Sequence, residues 1–292
     1  MANLTLGCLY ASAIHVKLYL PILKFGEGGG LKHLIQLLGP GPLAIKLIGG
    51  SIISQYGLKN PDQRIGAFLR KLNKSIYIKR EQSIGGLSFS QSIPIIESLN
   101  DTDILVLFFG TSVGWPRISR KMEGHLRPEL LESTSFHLPV YTSKKFQNRL
   151  KAKLRHLERN ALKLILFPFG LYRPRHSLED LPNLITAIEH LAERKSHLII
   201  WVQHNSLGYR RLWLERKVYH RYYSEILECL ENFRSPHFRI LTPDDNFLIQ
   251  ENYLVDGVHL SEMGHERMAN LIYAEIQTAL SEARHYIAEN GK

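Results

Sequence analysis

The stretch Leu43-Ala44-Ile45-Lys46-Leu47-Ile48-Gly49-Gly50-Ser51 decides how this chain is read. Its apolar run is short and ends abruptly at two glycines and a serine, the pattern of a buried strand feeding a tight turn. The same pattern returns downstream. Ser75-Ile76-Tyr77-Ile78 leads toward Gly85-Gly86, and the run 103–109 stops at Gly110. Residues 162–167, 197–202 and a shorter run at 238–241 read as further strands. Between them, amphipathic stretches up to Leu72 and over 93–99, 146–160, 181–194, 207–232 and 261–290 read as helices. Strands alternating with helices predict an α/β fold, a mainly parallel sheet of about five strands covered on both faces and joined by right-handed crossovers. Ligands in such sheets bind beyond the carboxyl ends of the strands, so the residues just after each strand are where chemistry is expected.

The chain of 292 residues is long enough to bury a substantial core. Hydrophobic residues make up 44% and charged residues 22%, a globular rather than disordered composition. Residues 1–42 are apolar but irregular and end in Gly39-Pro40-Gly41-Pro42, which marks an N-terminal appendage before a domain at 43–292. No basic start followed by a clean hydrophobic stretch suggests a signal peptide, and no run is long enough to span a bilayer. Two cysteines, Cys8 and Cys229, form neither a disulfide framework nor a metal-ligand spacing, which fits a cytoplasmic protein. Lys and Arg total 37 against 27 acidic residues, a net charge of +10 that favours anionic partners without naming one. The basic residues are spread along the chain and no nucleic-acid module is visible, so a nucleic-acid partner is not expected.

Four strand-end segments carry candidate chemistry. Ser51 follows the first strand, where a hydroxyl projects above the sheet and a helix N-terminus can stabilise an anion; a plain helix cap is the alternative. After the second strand, Ser83-Ile84-Gly85-Gly86 permits close backbone approach to a substrate oxygen, or is a plain turn. After the third, Gly110-Thr111-Ser112 offers hydroxyl donors. Before the last helix, Asp256-Gly257-Val258-His259-Leu260 sets a carboxylate three residues from an imidazole, the orienter and base of a triad.

Together these segments, in this order, resemble the four signature blocks of the SGNH (GDSL-type) hydrolases, over roughly residues 43–285. The resemblance implies a flavodoxin-like three-layer α/β/α sandwich and acyl hydrolysis or transfer. It implies a catalytic triad of Ser51, Asp256 and His259 and an oxyanion hole of Ser51, Gly86 and Ser112. No metal or organic cofactor is implied. The chain departs from the family pattern in the first and third blocks: Gly50 stands where the first block has aspartate, and Ser112 where the third has the asparagine donor. Leu260 also replaces the usual proline.

Specificity is expected outside the blocks. Residues 115–145 form a candidate lid holding Trp115, Arg117, Arg120 and Arg127; Arg173 and Arg175 follow the fourth predicted strand, and His204 and Asn205 the fifth. Trp115, Arg117, His204 and Asn205 are candidate substrate contacts. The positive surplus at the expected mouth suits an anionic small-molecule or carrier-bound acyl substrate, such as one on an acidic acyl carrier protein. An acyltransferase acting on a sugar, lipid or biosynthetic intermediate, and a non-catalytic binding protein on the same fold, are the competing readings.

Overall fold

In chain order the elements are β1 (Leu43–Gly49), α1 (Ile65–Leu72), β2 (Ile76–Ser83), α2 (Phe89–Glu97), β3 (Ile104–Phe108), β4 (Pro116–Ile118), α3 (Phe146–Leu166), β5 (Tyr172–Pro174), α4 (Leu181–Lys195), β6 (Leu198–Val202), α5 (Trp213–Glu231), β7 (Phe238–Leu241) and α6 (Glu262–Asn290), with 3-10 turns at Pro61–Gln63 and Gln250–Asn252. They are seen in a computed structural model that describes residues 42–50, 53, 58–84, 88–98, 104–109, 116–119, 122, 125, 146–174, 177–195, 198–203, 213–231, 238–244, 247, 249–254 and 259–290. The predicted appendage, Pro42 apart, therefore lies outside the described residues, as does most of the candidate lid.

Five strands form one parallel sheet in the order β2-β1-β3-β6-β7. Counted among themselves, the sheet strands run 2-1-3-4-5, the flavodoxin-like order, with the winding direction reversing between β1 and β3. The interior strands β3 and β6, Ile-Leu-Val-Leu-Phe and Leu-Ile-Ile-Trp-Val, are buried at every position. That is why they read as continuous apolar runs.

Alternation along the strands sends neighbouring side chains to opposite faces. Ile45, Leu47, Ile104, Val106 and Phe108 join Phe68 and Leu69 of α1 and Met268, Ile272 and Ile276 of α6 in one core. Ile48, Leu105, Leu107 and Trp201 join Phe89 of α2, Leu184 and Ile188 of α4, and Tyr219, Tyr223 and Ile226 of α5 in the other. The result is three layers, helices on both faces of one sheet.

The structure corrects the sequence reading in several places. Residues 162–167 are not a strand: 162–166 form the last turns of α3 and Phe167 begins the turn after it. Leu162 and Leu166, four apart, turn toward a small core with Tyr172 and Leu214, while Leu164 and Ile165 are exposed, which is helical rather than alternating burial. Arg173 consequently does not follow a sheet strand. It sits in β5, paired antiparallel with β4, a ribbon formed partly from the candidate lid. β2 runs to Ser83, well past the apolar residues 75–78, because an edge strand tolerates the polar run Lys79 to Gln82. Helix α2 begins at Phe89 rather than 93, since Ser88 caps it: the Ser88 hydroxyl accepts from the Gln91 amide and the Gln91 side chain accepts from the Ser88 amide.

Candidate active site

The carboxyl ends of the five sheet strands finish in one row. Gly49 pairs with Ser83 on one side and Phe108 on the other, Phe108 pairs with Val202, and Val202 with Leu241. The three segments singled out after β1, β2 and β3 therefore leave the sheet side by side, and the first and third flank the point where the winding reverses. That crevice is where open α/β sheets bind ligands.

The row is tightly fastened at this point. A Cβ on Gly49 would lie 2.5 Å from the Cβ of Phe108 and 2.8 Å from its carbonyl oxygen, so only glycine lets β1 and β3 approach this closely. The Ile84 amide donates to the Gly49 carbonyl at 2.7 Å, and the Ser83 hydroxyl donates to the Gly50 carbonyl at 3.0 Å. These bonds join the end of β1 to the end of β2. With the Ser88 capping box beyond, they bracket residues 85–87. At β3, Phe109 stacks on Trp201 at 4.5 Å between ring centroids, and the Tyr223 hydroxyl donates to the Phe109 carbonyl at 3.3 Å.

His259 is held by a second bracket. The Leu254 amide donates to the His259 carbonyl at 2.8 Å, Tyr253 and Leu260 form an antiparallel bridge, and the Ser261 amide donates to the Asn252 carbonyl at 2.9 Å. The Ser261 hydroxyl donates to the Glu251 carbonyl and accepts from the Gly264 amide, so this serine also caps α6. Asn252 is fully buried, and its side-chain amide donates to the Phe247 carbonyl at 2.7 Å. Leu260, where the family pattern has proline, is a buried core residue. His259 itself is half-buried, directly before the N-terminus of α6.

Behind it, His265 is 1% exposed, and its Nδ1 has no hydrogen-bond partner among the described residues. Burial, then the positive charge of Arg64 and interaction with His259, push its pKa down to about 4. The imidazole is thus neutral near pH 7 and adds no positive charge beside His259. On β2, Glu81 is raised above the ordinary carboxylate range by burial, against the opposing pull of Arg64, which lies 3.8 Å away.

Of the residues the sequence assigned to chemistry, His259 is described in full and Arg117 by its backbone in β4. Ser51, Gly86, Ser112, Asp256, Trp115, His204 and Asn205 lie outside the described residues. Sequence reasoning missed the supports: Gly49, Ser83, Asn252 and Gly264 reveal their parts only through distant partners. Arg173 lines a cavity of about 300 Å³ between β5 and α5, with Tyr172, Lys217, Arg221 and Tyr222. Among the described residues no group of His, Cys, Asp and Glu is arranged to hold a metal ion.

No protein-family model matches the chain, and no curated protein matches its sequence. Its structural neighbours are lipolytic proteins of the G-D-S-L family and carbohydrate esterases, at low identity and high coverage. The crystal structure of TesA is 13% identical, with 81% of this chain and 99% of that one covered and a TM-score of 0.44. A family 3 carbohydrate esterase from Clostridium thermocellum is 15% identical, with coverages of 83% and 99% and a TM-score of 0.43. A member of the lipolytic G-D-S-L family from Veillonella parvula is 11% identical, with coverages of 80% and 97% and a TM-score of 0.43.

Proposed function

We propose that this protein is a serine hydrolase that cleaves an ester or thioester through an acyl-enzyme, with Ser51 as nucleophile, His259 as base and Asp256 as its orienter. The observation that carries this reading is the sheet order. It reverses between β1 and β3, the strands directly preceding Gly50-Ser51 and Gly110-Thr111-Ser112. The bracket that presents His259 before α6, and the bonds joining the Gly49-Gly50 end to the β2 end, support the same assignment.

In the reaction, His259 takes the proton of the Ser51 hydroxyl as its oxygen attacks the carbonyl carbon. The oxyanion accepts from the amides of Ser51 and Gly86 and from the Ser112 hydroxyl. His259 then returns the proton to the departing alcohol or thiol, and water resolves the acyl-enzyme by the reverse sequence. Asp256 fixes the tautomer of His259 and stabilises its charged form. Transfer of the acyl group to an acceptor alcohol or amine in place of water is the same chemistry with a drier site. The substrate under this reading is a small or carrier-bound acyl compound.

Ser51→Ala is expected to abolish p-nitrophenyl ester hydrolysis and labelling by a serine-reactive phosphonate while leaving the melting temperature unchanged. Hydrolysis by Ser51→Ala at the wild-type rate would refute the assignment.

A further inference from the structure

Helix α3 is fixed to its own domain near its C-terminal end. Leu166 is buried with Tyr172 and Leu214, Leu162 and Phe167 pack against them, and the Lys163 amine lies 5.9 Å from the centre of the Tyr172 ring. The opposite side is apolar and open. Leu150 is 47% exposed, Leu154 52%, Leu157 63%, Leu164 45% and Ile165 61%. At 3.6 residues per turn these five, with the exposed Ala161 among them, fall in one sector of about 100°, the width of a face that is normally covered. Two exposed aromatics stand near the anchored end: Phe169, 73% exposed in the turn after α3, and Trp213, 62% exposed and next in the chain to Leu214, which shares the small core with Leu166. Single exposed hydrophobics need no explanation, but an ordered stripe does.

The charge of the helix selects the partner. Within 146–166 the chain has six basic residues, three of them at positions 149, 151 and 153 beside the stripe, and Glu158 is the lone acid. Two copies meeting through this face would set like charges against each other. An anionic partner is complementary. The side of α3 at Leu162 and Leu166 is already occupied by its own domain, so a groove could not enclose the helix. A flat surface could take the stripe. Aliphatic side chains flanked by Lys and Arg, with Trp and Phe at one end, are the composition of a helix lying in a lipid interface. Among the described residues no helix is long and apolar enough to cross a membrane, so the helix would lie on the surface rather than span it.

We propose that α3, with Phe169 and Trp213, docks this protein on an anionic lipid surface. The inference goes beyond the esterase reading and holds whether or not the triad is active. In co-sedimentation, the full-length chain is expected to bind vesicles of mixed phosphatidylcholine and phosphatidylglycerol, not phosphatidylcholine alone, and to be released by salt. Trp213 emission should shift to the blue on binding, and Trp213→Phe should remove that shift. Leu154→Asp with Leu157→Asp should weaken binding on the order of a hundredfold, and Lys151→Glu with Lys153→Glu by roughly fivefold or more per residue. Both variants should keep the wild-type circular dichroism and ester hydrolysis. Ser51→Ala should bind vesicles like the wild type, which separates this claim from the catalytic one. Equal binding to both vesicle types, or none at low salt, overturns the proposal. So does a dimer dispersed by Leu154→Asp, or a stoichiometric complex with an acidic carrier protein, in the absence of vesicle binding.

Discussion

Replacing Gly264 with alanine would put a carbon atom 2.0 Å from the carbonyl oxygen of Asn252 and 2.9 Å from the carbonyl carbon. A carbon–oxygen contact settles near roughly 3.4 Å, so α6 and the turn before it must separate by more than about 1 Å. Neither side can yield easily. The Asn252 carbonyl accepts from the Ser261 amide, and its side chain is tied to Phe247. Helix α6 is fixed along its inner face by Met268, Ala269, Ile272 and Ile276, all fully buried. Alanine is the better helix former by about 1 kcal/mol, but overpacking costs about 1–3 kcal/mol, and backbone against backbone lies at the upper end. The expected net loss is about 2 kcal/mol, a fall of roughly 4–8 °C in melting temperature for a chain of this size.

The same displacement strains the bracket around His259, because Asn252 and Ser261 belong to both contacts. Misplacing a reacting group by about 1 Å can cost on the order of a hundredfold, so kcat/KM for p-nitrophenyl acetate should fall by about that factor. Differential scanning calorimetry and the ester assay, with Ser51→Ala as the blank, read the two effects separately. An unchanged or raised melting temperature would refute the packing argument. A lowered melting temperature with unchanged kcat/KM would show that the bracket does not position the base.

Three further outcomes follow from the same geometry. His265, with its pKa near 4 in the fold against 6.5 ordinarily, stays unprotonated where the unfolded chain takes up a proton. Its contribution is therefore whole above pH 6.5 and lost as pH falls toward 4, on the order of 3 kcal/mol; denaturant titrations of His265→Gln should show a flatter stability profile across that window. Gly49→Ala, whose Cβ would meet Phe108 at 2.5 Å, should lower both the melting temperature and the ester rate, and an unchanged rate would mean that the β1–β3 junction does not position the nucleophile. Ser112→Ala should reduce kcat by roughly 100- to 1000-fold if its hydroxyl serves the oxyanion; a loss under tenfold would leave that donation to a neighbouring group.

The parallel sheet was legible because its interior strands are apolar without interruption, as at 104–108 and 198–202. The same criterion failed at 162–167. A short apolar run there belongs to a helix whose two sides are apolar for different reasons, one packed on Tyr172 and Leu214 and the other exposed. Periodicity inside six residues cannot separate these cases; the continuity of the run with the basic helix before it was the usable signal. The candidate chemistry was legible as local motif. Its supports were not, because each is a contact between residues far apart in sequence: Gly50 with Ser83, and Phe109 with Tyr223. Even the bracket at His259 depends on which backbone amides face which carbonyls across the bridge at Tyr253 and Leu260, and side-chain identity says little about that.

Counted over the whole chain, the basic surplus is dispersed, and the residues expected to bring it to the mouth of the site lie largely outside the described residues. Helix α3 alone, with six basic residues against one acid, carries half of the +10. The same helix presents an exposed stripe of leucines. A nucleic-acid backbone would satisfy the charge but offers those leucines little apolar surface. An anionic lipid interface satisfies both, because headgroups meet the basic positions while the acyl boundary accepts the stripe. The placement of charge relative to exposed apolar area, rather than its total, is what distinguishes among anionic partners.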